Sequence, residues 1–176
     1  MNEAETFTFR TNDLVIELAM PEDYETVGEL TARSYFAAGH FESPEDDYLQ
    51  FVRKVRERAE QSEIYVVRRE RSIVGSMTLI QAGSDYADIA LPGELEIRML
   101  SVSPDAQRGG VGRALVNAAI ERARRLPGMS AVSLTTGKSW DTARALYESM
   151  NFNHVAQRDW VVPGTDIQLV VYVLNL

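Results

Sequence analysis

The stretch that most constrains this chain lies between residues 94 and 126, where a β-type run passes through a cluster of glycines into a helical run. Glu94–Val102 (ELEIRMLSV) reads as a strand, and Ser103-Pro104-Asp105 as a turn. From about Gly110 to Leu126 the apolar positions Val111, Leu115, Ala118 and Ala119 recur at helical spacing, and Pro127-Gly128 ends the helix. Between strand and helix stands Gln107-Arg108-Gly109-Gly110-Val111-Gly112-Arg113-Ala114. A helix start collects unpaired backbone N–H groups and the positive end of the dipole. Glycines there let an anion approach the backbone, so the segment is a candidate phosphate cradle. Glycines at a helix start also serve a plain turn, and the spacing alone leaves both readings open. Two phosphate motifs are excluded. A Walker loop needs Gly-Lys-Ser/Thr, and Gly112 is followed by Arg113. A dinucleotide fingerprint wants a small residue where Leu115 stands, and belongs to a first strand–helix unit rather than one past residue 100.

The other elements arrange around this one. Leu14–Leu18 reads as a strand, and Pro21 starts a helix carrying Tyr24, Val27, Leu30 and Ser34 at helical spacing. Ser43-Pro44-Glu45-Asp46 looks like a second helix start, with Tyr48, Val52, Val55 and Ala59 as one apolar stripe. Arg53, Lys54, Arg56 and Arg58 fall mostly on the opposite, solvated side of that helix. Ile64–Arg69 and Ser72–Ile80 suggest a hairpin, followed by a loop over 81–93. Val132–Thr136 is a strand, Ser139 caps a helix through Met150, and Phe152–Val161 and Ile167–Leu174 are two last strands around Pro163-Gly164. Strand–helix–strand in the second half implies parallel pairing there, and hairpins imply antiparallel pairing elsewhere. The expected fold is α/β (α+β), one mixed sheet of about seven strands flanked by about four helices.

With 176 residues the chain is one domain by size, read as a loose tail over 1–13 and a folded domain over 14–176. It has no cysteine, which removes disulfides, zinc fingers, iron–sulfur clusters and thiol catalysis. No apolar run approaches the ~20 residues of a membrane span, and the acidic N-terminal stretch does not read as a signal peptide, so a cytoplasmic protein with no membrane partner is expected. A net charge of −8 opposes a general nucleic-acid binder. The charge is uneven: residues 1–50 hold 12 acidic and 2 basic residues, net −10, whereas residues 51–176 hold 14 and 16, net +2. His40 and His154 show no ligand or triad spacing, and no metal site is expected.

The segment LEIRMLSVSPDAQRGGVGRA, Leu95 to Ala114, resembles the acetyl-CoA motif of the GNAT N-acetyltransferase superfamily, Gln/Arg-x-x-Gly-x-Gly/Ala, matched by Gln107, Gly110 and Gly112. A second family element, Asn-x-x-Ala-x-x-Leu-Tyr-x-x-x-Gly-Phe, is similar to Trp140 through Phe152. Trp140 replaces its asparagine and Asn151 its glycine. Asn tolerates the left-handed backbone that the glycine supplies. The element order agrees with the family fold along nearly the whole chain.

The resemblance implies an enzyme that moves acetyl from acetyl-CoA to a primary amine by direct attack in a ternary complex. A module of the same fold that binds acyl-CoA without chemistry is the alternative. It places the cofactor on backbone groups of Leu100, Ser101 and Val102, with a bulge there leaving an N–H for the acetyl carbonyl. Gln107, Arg108, Gly109, Gly110, Val111 and Gly112 would hold the pyrophosphate, with Arg113 and Ala114 opening the helix. The Arg108 and Arg113 side chains either touch phosphate or stay solvated. Trp140 packs along the pantetheine or closes the tunnel, its alternative being a core or lid aromatic. Tyr147 is the candidate general acid for the leaving thiolate, or an amphipathic core tyrosine. Glu96 is the candidate base, directly or through water, or a partner of Arg98 on the same strand face. Tyr35, Phe36 and Tyr86, together with Phe41, could wall the acceptor cleft. The acceptor itself would be a small-molecule or peptide amine. The acidic first fifty residues would suit a cationic one. Homodimers are common among relatives.

Overall fold

A single nine-stranded sheet organises the chain, in the order β1-β2-β3-β4-β5-β6-β9-β7, with β8 also paired to β9. The computed structural model describes residues 7–176. The strands are β1 Thr8–Thr11, β2 Leu14–Leu18, β3 Glu63–Arg69, β4 Ser72–Gln81, β5 Glu94–Val102, β6 Ala131–Gly137, β7 Asn153–His154, β8 Trp160–Val161 and β9 Gln168–Asn175. The helices are α1 Tyr24–Ala37, α2 Asp47–Arg53, α3 Val55–Ala59, α4 Val111–Arg125 and α5 Asp141–Ser149. Pairing is antiparallel except between β5 and β6, the two strands that α4 joins. That is the mixed α/β architecture read from the sequence.

The extra elements have local causes. Thr11 pairs with Leu14 across Asn12 and Asp13, a two-residue hairpin with Asn12 at φ 47°. The expected tail over 1–13 therefore contains an edge strand, and residues 1–6 of it lie outside the described residues. The expected strand Phe152–Val161 is interrupted by a turn at Ala156–Arg158. That turn carries Arg158 to the Glu94 carboxylate at 2.7 Å and to the Ile89 carbonyl.

The single helix expected from Ser43 to Ala59 is two. Asp46, not Ser43, caps α2 by accepting the Tyr48 N–H at 2.9 Å. Lys54, at φ −78° and ψ 61°, then breaks the helix and restarts it as α3. The break changes the phase of everything after it. Arg58, expected on the solvated side, is 1% exposed.

The sheet separates two layers. On one face α4 and α5 cover the main core, with Leu95, Ile97, Met77 and Leu79 from the strands and Val111, Leu115, Ala118 and Ala119 from α4. On the other face α1, α2 and α3 cover smaller clusters around Val27, Val55, Ala32, Leu49 and Met99. Buried hydroxyls seat α1 on the sheet. Thr31 lies 3.2 Å from Ser101 and 3.4 Å from Ser76, and Ser34 donates to the Val102 carbonyl at 3.0 Å.

Candidate active site

The β5–β6 pair opens partway along. Register runs from Glu94↔Ala131 to Ile97↔Leu134 and stops, while both strands continue. Beyond that point β6 stays with β9 and β5 stays with β4, so a wedge opens between them. At its apex β5 bulges. Thr78 faces Arg98 and Ser76 faces Ser101, so both Met99 and Leu100 oppose Met77. Met99 takes φ 51° to achieve this. Ser103 gives its N–H to Val74 on β4, so by alternation Val102 and Leu100 turn their backbone groups into the wedge. Val102 spends its carbonyl on Ser34, and its N–H stays with the wedge. The Ser101 side chain is buried among the hydroxyls beneath α1.

The wedge leads to the N-terminus of α4. Gly110 is its N-cap at φ 78°, with no atom within 4 Å of where a Cβ would stand. Arg108 also takes a left-handed φ of 63°. No backbone N–H from Gln107 to Arg113 donates a well-formed hydrogen bond among the described residues. These donors and the helix dipole form an open anion cradle. Val111 contributes backbone only, since its side chain is core, and Ala114, also core, gives its N–H to the Gly110 carbonyl at 2.9 Å. Arg113 is committed elsewhere, donating to Ser149 at 2.7 Å. A cation that sequence reasoning missed stands nearby. Arg69, at the end of β3, has a guanidinium nitrogen 3.3 Å from where a Gly109 Cβ would be. Its Nε pairs with Asp13 at 2.8 Å.

Tyr147, on α5, is 7% exposed and packs between Phe152 and Tyr172, at centroid distances of 6.0 and 6.3 Å. Its hydroxyl makes no hydrogen bond among the described residues, and burial pushes its pKa up to about 12. Tyr35, on α1 across the sheet, has its pKa raised by burial first, and the nearby Tyr48 and Tyr147 phenols add to the rise. The wedge thus joins the two faces of the sheet. Asn151, as its side chain allows, takes φ 66° after α5.

Trp140 is the N-cap of α5 and supplies no side-chain cap, the role expected of Ser139. Its indole lies flat on Gly137, where a Cβ would stand 2.4 Å from the ring. His40, from the loop after α1, stacks on the indole at 3.9 Å. The two rings border an open cleft of about 610 Å³ at the end of β6, with Lys138, Asp166, Ile167 and Gln168 on its other walls.

On the α1 side a run of aromatic rings packs against the cluster that holds Met99 of the bulge. Tyr35 stacks on Tyr48 at 6.3 Å, Phe41 on Tyr48 at 5.8 Å and Phe51 on Tyr86 at 6.1 Å. Tyr48 and Phe51 were missed in the sequence. Phe36 is outside the run, 39% exposed, because adjacent helix positions point about 100° apart. Glu96 is fully buried and tied to the β4–β5 loop. It accepts N–H bonds from Asp88, Ile89 and Ala90 at 3.0, 3.1 and 3.1 Å. Burial raises its pKa against the pull of those donors. Its expected partner Arg98 pairs instead with Asp88 at 2.8 Å. Direct proton exchange between Glu96 and an acceptor does not fit this arrangement. Asp88, whose pKa burial also raises, is the more exposed of the two carboxylates.

Four acidic residues of the first fifty are held in ion pairs. Glu29 pairs with Arg53, Glu17 and Asp23 with Arg68, and Asp13 with Arg69.

The profile of the Acetyltransferase (GNAT) family matches residues 24–152, from the start of α1 past the end of α5. The chain belongs to the GNAT acetyltransferase family. Solved GNAT structures share its fold. A Bacillus subtilis acetyltransferase in complex with CoA superposes with a TM-score of 0.65 at 24% identity, over 92% of this chain and 97% of that one. A putative acetyltransferase from Salmonella typhimurium with acetyl-CoA gives 0.66 at 19% identity, over 94% and 95%. Among curated proteins, N-acetyltransferase family 8 member 3 of Rattus norvegicus is 41% identical over 64 residues, 36% of this GNAT chain and only 28% of that relative. No helix among the described residues is long and apolar enough to cross a membrane.

Proposed function

We propose that this GNAT protein transfers the acetyl group of acetyl-CoA to a primary amine by direct attack within one ternary complex. The observation that carries the reading is the wedge between β5 and β6, with unbonded N–H groups at its mouth. The residues fit the cosubstrate. The run Gln107–Arg113 offers donors to a pyrophosphate, Gly110 leaves open space, and Leu100 and Val102 offer backbone groups to an amide-bearing arm. Structural neighbours that hold CoA or acetyl-CoA support the same occupant. Acetyl-CoA supplies an acetyl group activated as a thioester.

The chain does the rest. The bulge at Met99–Leu100 leaves a β5 N–H turned to the wedge, where it would donate to a carbonyl oxygen that gains negative charge as the amine attacks. Tyr147 keeps its proton, held by a pKa of about 12, and gives it to the departing thiolate. Glu96 holds the β4–β5 loop, and with it Asp88 and Tyr86, against the wedge. The ammonium proton of the acceptor leaves before attack by way of Asp88 or water, and the proton the nitrogen sheds as the amide forms returns through water to the Tyr147 oxygen. With no cysteine in the chain, a thiol-borne acetyl-enzyme has no carrier.

The test is release of free CoA thiol from acetyl-CoA across a broad amine panel, beside calorimetric acetyl-CoA binding. Turnover with at least one amine is expected. Tight binding with no turnover on any amine would support the non-catalytic module instead.

A further inference from the structure

Arg58 is the least expected residue in the acceptor half. Its side chain lies under the aromatic run at 1% exposure. Nε donates to Thr78 Oγ1 at 3.2 Å, and both terminal nitrogens reach the Val52 carbonyl at 3.3 Å. Those three contacts go to uncharged acceptors. Among the described residues Arg58 has no carboxylate partner, although ten ion pairs occur elsewhere. A guanidinium has five donors and stays charged in proteins, so this one keeps unused donors and an uncompensated charge. A buried cation of that kind is costly unless something pairs with it.

The groups close enough to act on it electrostatically are Tyr35, Tyr48, Arg98 and Tyr86. Three are neutral phenols and the fourth is a second cation. Arg98 has one carboxylate, Asp88, and donates also to the Tyr86 carbonyl. Glu96 is turned to the loop amides. Around the aromatic run, then, two guanidiniums face a single ion-paired carboxylate and one buried carboxylate. The charges around the run balance in number, yet the Arg58 guanidinium itself has no carboxylate beside it.

We propose that the amine acceptor carries an anionic group, a carboxylate or a phosphonate, which this pocket receives between the Tyr35–Tyr48–Tyr86 hydroxyls and the Arg58–Arg98 guanidiniums. The inference rests on the acetyl-transfer reading of the same site. Phenolic hydroxyls donate to an anion without adding charge, and guanidiniums match its oxygens in pairs. The uncompensated Arg58 charge also disfavours the ammonium form of the incoming amine, the form that cannot attack. Capping the end of α2 through Val52 would account for one acceptor of Arg58. It would not account for a full charge kept beside Arg98.

The experiment compares kcat/KM for free amino acids, their C-terminal amides and aminoalkylphosphonates, with benzoate and benzamide titrated by calorimetry into the CoA-saturated protein. The best acid should exceed its amide by about 10- to 100-fold, the range for a charged hydrogen-bonded contact. Benzoate should bind and benzamide should not. Arg58→Gln should shrink the acid-to-amide ratio about 10-fold, and Arg58→Lys should largely restore it, with CoA affinity unchanged in both. A phosphonate outperforming every carboxylate supports the subsite and assigns it a tetrahedral anion. Amides equal to or better than acids, benzoate binding no tighter than benzamide, or an unmoved ratio in folded Arg58→Gln each overturn the inference. Loss of wild-type acetyl-CoA binding would instead sink the underlying reading.

Discussion

Asp88 and Arg98 form a 2.8 Å ion pair whose side chains are 28% and 9% exposed, clamping the loop before β5 onto the strand that borders the wedge. The same loop is held from below by Glu96, which accepts three successive backbone N–H groups. The loop that shapes the pocket is thus fixed twice, by charge at its surface and by a buried carboxylate beneath.

Removing the lower anchor should be costly. Glu96→Ala leaves the N–H groups of Asp88, Ile89 and Ala90 without their acceptor, and should lower stability by about 1–3 kcal/mol. Glu96→Gln keeps an acceptor oxygen and removes a charge that burial disfavours. The sign follows from linkage. With the folded pKa raised above the unfolded value, the ionised carboxylate weakens the fold once pH exceeds the unfolded pKa. At neutral pH, Glu96→Gln should therefore stay within about 1 kcal/mol of wild type while Glu96→Ala does not. Thermal unfolding of the pair checks this, and equal losses would contradict it.

Chemistry should depend on the Tyr147 hydroxyl. Tyr147→Phe keeps the ring among Phe152 and Tyr172 and should lower kcat by about 100-fold with acetyl-CoA affinity little changed. Unchanged kcat on a good acceptor would make Tyr147 a packing residue. The pH dependence has a definite sign. Burial raises this pKa from 10.0 to about 12, so the protonated acid persists throughout the range in which the enzyme is assayed. Its contribution to stability is complete below the unfolded pKa and lost only as pH rises through about 12. A plot of kcat against pH should show no falling limb from Tyr147 below about pH 10. A falling limb near pH 8 or 9 that vanishes in Tyr147→Phe would contradict the account.

Gly137 and Trp140 should be energetically coupled. Gly137→Ala puts a Cβ 2.4 Å from the indole, so the ring must leave its place on the strand and its stack with His40. The single substitution should destabilise by about 1–3 kcal/mol, and much less in a Trp140→Ala background. A double-mutant cycle by denaturant unfolding gives the coupling. An additive result would mean the indole does not depend on that strand.

The cradle was legible because everything it needs is local. Strand, turn, glycines and helix follow within about twenty residues, and Gly110 and Gly112 stand where the unbonded N–H groups are. The bulge was anticipated near its true place, though only the structure shows that Met99 takes the left-handed backbone for it. The acceptor pocket was only partly legible. As proposed, it draws on residues 35, 48, 58, 86 and 98, on three helices, a loop and a strand. Arg58 was hidden by a phase error. Counted along one unbroken helix it faces water, and the Lys54 break turns it inward. Glu96 and Arg98 do share a strand face, but alternation gives no hint that the loop supplies Asp88 to one and backbone N–H groups to the other.

The most direct measurement is calorimetric binding of acetyl-CoA to wild type and to Gly112→Asp. A Cβ at Gly112 meets only ordinary contacts, 3.4 Å from Leu146 and 3.9 Å from Val102, and a carboxylate in the first turn of α4 suits the helix dipole. The variant should therefore fold with near-wild-type stability, while its side chain and charge occupy the place proposed for pyrophosphate. The account predicts one-to-one binding to wild type and no measurable binding to the folded variant. Near-equal affinity in the two proteins would contradict it.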